Sequence, residues 1–298
     1  MDLPPSFLKR QLLPFVLCAY ALGCLFLTFY LAAHPIIDTK AVHSTSPPEI
    51  AYTPFQTKLF SSAPYASEPL PDFGSIANVK EKKRAFFNYL RPLIAHSNQR
   101  VLEQRQILLS WQARLEAQQA LDEQTERGLQ KLLKRYKVKA GTLKQIEQVE
   151  ALIAKIDQIP ASMVLAQGAL ESAWGSSRFA RQANNLFGQW CFVPGCGIVP
   201  LQRSEGATHE VKAFASVGEA VEAYFYNINA NGAYTTLRDI RQEDRAHQRP
   251  LTGARMAGGL ELYSGRGMSY VHELRNMIRS NKLEAPLNTP ELNDTTTL

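Results

Sequence analysis

One carboxylate closes the most apolar helix-forming stretch of the chain. From Pro160 through Met163, Val164, Leu165 and Leu170 there is no charge until Glu171, and Ser172-Ala173-Trp174-Gly175 follows. Proline suits the first turn of a helix and glycine its end. A charged side chain among such neighbours is seldom buried without a partner. Glu171 therefore has two readings. It pairs with an arginine such as Arg178 or Arg181, or it faces a cleft as an acid whose pKa is raised by apolar surroundings and the helix end. Such an acid can protonate a leaving oxygen near neutral pH. Downstream, Asn184-Asn185-Leu186-Phe187-Gly188-Gln189-Trp190 sets two amides beside two aromatic rings. Amides bond hydroxyl and acetamido groups, and flat rings stack on sugars. The plain alternative is that Asn-Asn makes a turn and the rings pack.

Taken together, Ala166-Gln167-Gly168-Ala169-Leu170-Glu171-Ser172-Ala173-Trp174-Gly175 and Asn184-Asn185-Leu186-Phe187-Gly188 resemble the core motif of the glucosaminidase domain, glycoside hydrolase family 73. The continuation from Gln189 to Gly197 resembles its Bax-like branch. The resemblance runs over about Val79 to Glu284. It implies a mainly α, lysozyme-like α+β domain with a small β-lobe across a cleft. It also implies hydrolysis of the β-1,4 bond after N-acetylglucosamine in peptidoglycan or related glycans. Glu171 aligns with the family's general acid. Many glycosidases use a second carboxylate, and in this family it lies in a hairpin, here Ile198 to Phe214. Glu205 is favoured and Glu210 is the alternative; the substrate's own acetamido group can serve instead. The hairpin departs from the longer Thr-x-Glu-Tyr form of many members, so the alignment does not choose. Tyr263, in Leu262-Tyr263-Ser264-Gly265, matches a tyrosine the family places in the cleft, whereas Tyr270 reads as a packing residue. The expected glycan-binding set is Asn184, Asn185, Phe187, Trp174, Trp190 and Gln167. A lytic transglycosylase, which needs one acid, and a wall-binding module without turnover are the rival functions.

These groups need a scaffold. The 298 residues are 45% hydrophobic and 20% charged, which excludes a wholly disordered or collagen-like chain. Apolar residues recur at helical spacing at Phe86, Phe87, Leu90, Leu93 and Ile94, and again at Leu129, Leu132 and Leu133. Residues 79–138 thus read as a helical region, with Pro92 a kink or restart. Its default role is packing on the next domain, although it also offers a surface for a protein partner. Leu143 to Ile156 is a further amphipathic helix, and residues 139–284 form the expected glucosaminidase domain. Residues 38–78 are rich in proline and read as a linker; residues 285–298 read as a tail.

The first 37 residues differ in kind. Between Gln11 and Ile37 no position is Asp, Glu, Lys or Arg. Leu12 to Ala33 is long enough to span a bilayer, with Lys9 and Arg10 before it. The expected arrangement is an uncleaved inner-membrane anchor with a cytoplasmic N-terminus and a periplasmic remainder. Cleavage near Ala33 and lipidation at Cys24 are the alternatives. Cys191 and Cys196 bracket a Pro-Gly turn, which in an oxidising compartment favours a disulfide over free thiols or a metal half-site. No cofactor or metal is expected, since His209, His247 and His272 lack ligand spacing. A net charge of +6 suits an anionic wall, but no basic stripe interleaved with aromatics points to nucleic acid.

Overall fold

The computed structural model describes residues 67–284. The expected spanning segment, Cys18, Cys24, most of the linker and the tail lie outside the described residues. No helix among those described is long and apolar enough to cross a membrane.

Nine helices longer than one 3-10 turn are found among the described residues. They are α1 (Val79–Glu116), α2 (Glu123–Arg135), α3 (Gln145–Lys155), α4 (Ala161–Glu171), α5 (Arg178–Ala183), α6 (Val217–Ala230), α7 (Thr235–Ala246), α8 (Gly253–Met256) and α9 (Met268–Ser280). Strands β1 (Trp190–Cys191), β2 (Gly197–Ile198) and β3 (Glu210–Lys212) form an antiparallel sheet in the order β1-β3-β2. The class is mainly α with a small sheet. The sheet is wider than a hairpin over Ile198 to Phe214, because Trp190–Cys191 adds a strand on the far side of β3.

The helix starts are set by local chemistry. Asn78 caps α1, Asp122 caps α2, Ser177 caps α5 and Ser216 caps α6, each side chain accepting from a backbone N–H of the first turn. Helix α1 runs unbroken through Pro92, so that proline does not restart it. Its face of Phe86, Leu90, Ile94, Leu108 and Trp111 is buried. These residues share one core with Leu165, Ala169, Tyr224 and Leu274. The end of the stretch read as linker joins this core too. Asp72 caps a 3-10 turn, and Phe73 (1% exposed) sets its ring against Phe86 and Tyr89.

Helix α4 is almost wholly buried and fixes the position of Glu171. Gly168 lets it close on α1, because a side chain there would meet Leu90 at 3.0 Å and Phe86 at 3.6 Å. Its start is held by charge. Arg241 of α7, buried, donates to the carbonyls of Lys155, Asp157 and Gln158 and to Asn229 Oδ1. These include an orphan carbonyl at the end of α3. Burial pushes Arg241 down to about 9. Asp157, in the α3–α4 connection, receives a two-pronged bond from Arg245 at 2.9 and 3.0 Å, with Arg105 at 3.5 Å. Burial alone would raise Asp157, but the arginines outweigh it and hold it below the usual carboxylate range.

Candidate active site

Glu171 is the last residue of α4, and the backbone behind it is strained. Ala173 (φ 49°), Trp174 (φ 58°) and Gly175 (φ 77°) are all left-handed. That conformation costs a residue with a side chain roughly 1–2 kcal/mol. Ser172 holds the turn: its hydroxyl donates to the Gly168 carbonyl and accepts from Gly175 N–H at 2.7 Å. Gly175 admits no replacement, since a Cβ there would sit 2.6 Å from the Phe73 ring. The Glu-Ser-x-Trp-Gly spacing is thus a device for ending the helix abruptly with Glu171 at its rim. Strain held next to a partly buried acid is the pattern expected of a functional position.

The Glu171 carboxyl is raised above its ordinary pKa, burial being the main cause. The Tyr270 hydroxyl bonds to it and, with Arg266, pulls it back; Glu273 pushes it further up. Oε2 lies 3.7 Å from where a side chain on Gly188 would begin, so this glycine leaves the carboxyl room. Tyr224, Tyr234 and Tyr263 also feel its charge. The acid is therefore walled by tyrosines from α6, from the 3-10 turn at Gly232–Tyr234, from the turn at Glu261–Tyr263 and from α9.

A buried relay fixes this wall. Tyr224 donates to Gln167 Oε1, Gln167 Nε2 donates to Tyr270 Oη at 2.9 Å, and Tyr270 reaches Glu171. Gln167, one turn before Glu171 on α4, is fully buried, so its amide orients Tyr270. Tyr263 stacks parallel on Tyr270 at 5.6 Å and donates to the Phe187 carbonyl at 2.7 Å.

The loop from Asn184 to Trp190 is organised from within. Asn184 ends α5 in the left-handed region (φ 52°), and its amide donates to the Phe214 carbonyl at 2.9 Å. Asn185 (1% exposed) donates to the carbonyls of Gln189 and Lys212 and accepts from Phe187 and Gln189 N–H. Asn185 ties the loop to β3, and Asn184 ties the end of α5 to the segment just after it. Phe187 is buried against Tyr224 at 4.4 Å. Trp174 packs edge-on to Phe86 and Phe87 under Lys83. Trp190 is the exception: it is 58% exposed and stacked on His209 at 4.1 Å. It presents an aromatic face to solvent.

The two hairpin acids differ. Glu210 is buried and accepts from Gly195 N–H at 3.0 Å and Gly197 N–H at 2.8 Å, which hold it below the usual carboxylate range. It braces the turn closed by the Cys191–Cys196 disulfide. Those two sulfurs and the Glu210 carboxylate lie together, but sulfurs joined to each other are poor metal ligands. Glu205 sits exposed on the β2–β3 connection. The groups bearing on Glu171 are Tyr270, Arg266 and Glu273; the hairpin acids are not among them. Tyr270 is the residue that sequence reasoning left to packing, and Tyr224 is one it did not single out. Tyr270 lies within a matched segment, and nothing in the spacing of Tyr224 separates it from an ordinary buried helix face.

A family model described as mannosyl-glycoprotein endo-beta-N-acetylglucosaminidase matches residues 148–283. Protein bax of Escherichia coli is 34% identical over 217 residues, spanning 72% of this chain and 76% of that protein. No solved structure gives a significant match.

Proposed function

The chain is a Bax-like member of the glucosaminidase-domain family, and we propose from this that it hydrolyses β-1,4 bonds of peptidoglycan with Glu171 as general acid. The observation that carries the proposal is the Glu171 carboxyl at the end of a buried helix. It is raised by burial and reached by the hydroxyl of Tyr270. Such a group keeps its proton to higher pH than a solvated glutamate and can hand it to the glycosidic oxygen as the bond to the anomeric carbon breaks. Water then adds to that carbon, giving a reducing N-acetylglucosamine end. Trp190 supplies an exposed ring for a sugar face. Asn184, Asn185, Phe187 and Gln167 shape the floor and the relay beneath it.

The commitment of Glu210 to two backbone amides withdraws it from the reaction and leaves either Glu205, on the β2–β3 connection, or a single enzymic acid. With a single acid, the oxocarbenium-like centre is met by the substrate's acetamido group or, in the second reading, by its own 6-hydroxyl. The latter makes the chain a lytic transglycosylase. Mass spectrometry of digested wall separates the two. Reducing N-acetylglucosamine ends support the hydrolase, and 1,6-anhydro ends support the transglycosylase.

We further propose that residues 12–33 anchor the chain in the inner membrane with its N-terminus in the cytoplasm and the catalytic domain in the periplasm. The uncharged run and the preceding Lys9 and Arg10 support this. A reporter fused after residue 298 tests it: an alkaline phosphatase fusion is expected to be active and a fluorescent protein that folds only in the cytoplasm dark.

A further inference from the structure

The segment between Tyr263 and α9 carries an ion pair that the reaction just described does not use. Gly267 adopts φ 54° and ψ −131° at the N-cap of α9, a conformation open to glycine and little else. It turns the chain so that Arg266 doubles back over α9. Arg266 Nη1 meets Glu273 Oε2 at 2.6 Å, and its guanidinium lies 5.4 Å from the centre of the Tyr270 ring. Glu273 is one turn beyond Tyr270 on the same helix, so ion pair and ring share a face. Tyr270 is the residue whose hydroxyl reaches Glu171. On its other contacts the ring is held by Gln167 at the hydroxyl and by Tyr263 in parallel stacking.

Resting on Glu171 as the acid, we propose that Arg266, braced by Glu273 against the ring of Tyr270, is a positioning residue that steadies the Tyr270–Glu171 contact and sets a cation beside the acid. The pair is half-exposed, with side chains 55% and 43% accessible. As an isolated surface ion pair it would contribute little to stability. Its effect is on the acid. Both charges bear on Glu171, Arg266 lowering its proton affinity and Glu273 raising it. The other groups facing Glu171 are Tyr224, Tyr234, Tyr263 and Tyr270, which stay neutral over the working pH range. The presence of these two opposite charges therefore tunes the pH up to which the acid holds its proton.

The test is the pH profile of the full-length protein on soluble peptidoglycan glycan fragments, read as released reducing ends. An acid must be protonated to act, so activity falls as pH rises through the Glu171 pKa. Arg266→Gln removes the cation and is expected to move that falling limb to higher pH. Glu273→Gln removes the anion and is expected to move it lower. A shift of about 0.5 pH unit in either direction changes activity about threefold at a pH beyond the limb. Arg266→Lys keeps the charge without the planar guanidinium, so the limb stays while kcat falls. Opposite shifts in the two Gln variants support the proposal. Limbs that superimpose on wild type overturn it, as do shifts in one common direction. If Arg266→Gln does not fold, the Glu273→Gln and Arg266→Lys arms decide in the same terms. Glu171→Gln, run alongside, keeps the two readings apart: its retained activity refutes Glu171 as acid, whereas its inactivity with an unmoved Arg266→Gln limb refutes only the pair.

Discussion

Tyr270→Phe separates the relay beneath Glu171 from mere packing. The ring and its stacking on Tyr263 survive the change, so what is lost is one oxygen. Two partners then lose a bond. Gln167 Nε2, which donates to that oxygen at 2.9 Å, is left in a fully buried position. A buried donor without a partner costs about 1–3 kcal/mol. At about 2 kcal/mol, a domain of this size loses roughly 4–8 °C in Tm. The Glu171 carboxylate loses a donor that favours its charged form. A bond to a charged group is worth about 1.5–3 kcal/mol. One pKa unit corresponds to about 1.4 kcal/mol, so the acid should rise by about one to two units. Calorimetry reads the first effect, and the falling limb of the pH–activity profile reads the second. Adding Gln167→Leu removes the stranded amide, so the double variant should cost less than the sum of the singles. A Tyr270→Phe protein that melts with wild type and keeps its pH limb would refute the relay.

Four further outcomes follow from the geometry. Asp157→Asn leaves Arg241 and its neighbours without their buried counter-charge and should cost about 3 kcal/mol by denaturant titration. The folded pKa of Asp157 is depressed, so its contribution is present above the unfolded value and is lost as pH falls below about 4. The difference between wild type and variant should narrow progressively as pH falls further. Glu210→Ala frees the Gly195 and Gly197 amides, which should exchange hydrogen faster, while the pH limb set by Glu171 stays in place. Gly259→Ala places a Cβ 2.2 Å from Leu237 N; the backbones of α7 and of the 3-10 turn Ala257–Gly259 after α8 must part, at a cost of about 3 kcal/mol. Trp190→Ala should raise KM for glycan fragments without moving Tm, since the ring is mostly exposed.

Much of this was legible in the chain, for identifiable reasons. The helix ending at Glu171 shows in the sequence because an apolar run, a proline and a glycine are local signals. The caps at Ser177 and Ser216 are local as well. The two asparagines were harder. Asn185 sits where four backbone groups from the loop and β3 converge, and convergence across the fold leaves no mark in the spacing of residues. Glu210 is similar: its partners, Gly195 and Gly197, lie in the β1–β2 turn and on the neighbouring strand β2, more than ten residues away along the chain. The polar sequence of α7 reads as a solvated face, yet Arg241 and Asp244 point inward because the α3–α4 connection offers carbonyls and α8 offers Arg255. Tyr270 and Arg266 act on Glu171 from about a hundred residues away, and only the packing of α9 against α4 brings them there.

The measurement that bears most directly on the central claim compares wild type with Glu171→Gln on purified peptidoglycan. Glutamine keeps the shape of the side chain and cannot donate the carboxylic proton. Wild type should release fragments ending in reducing N-acetylglucosamine, and the variant none above the level without protein, with both melting cooperatively. Equal release by the two proteins would contradict Glu171 as the acid, and no release by either would leave the fold without the proposed reaction.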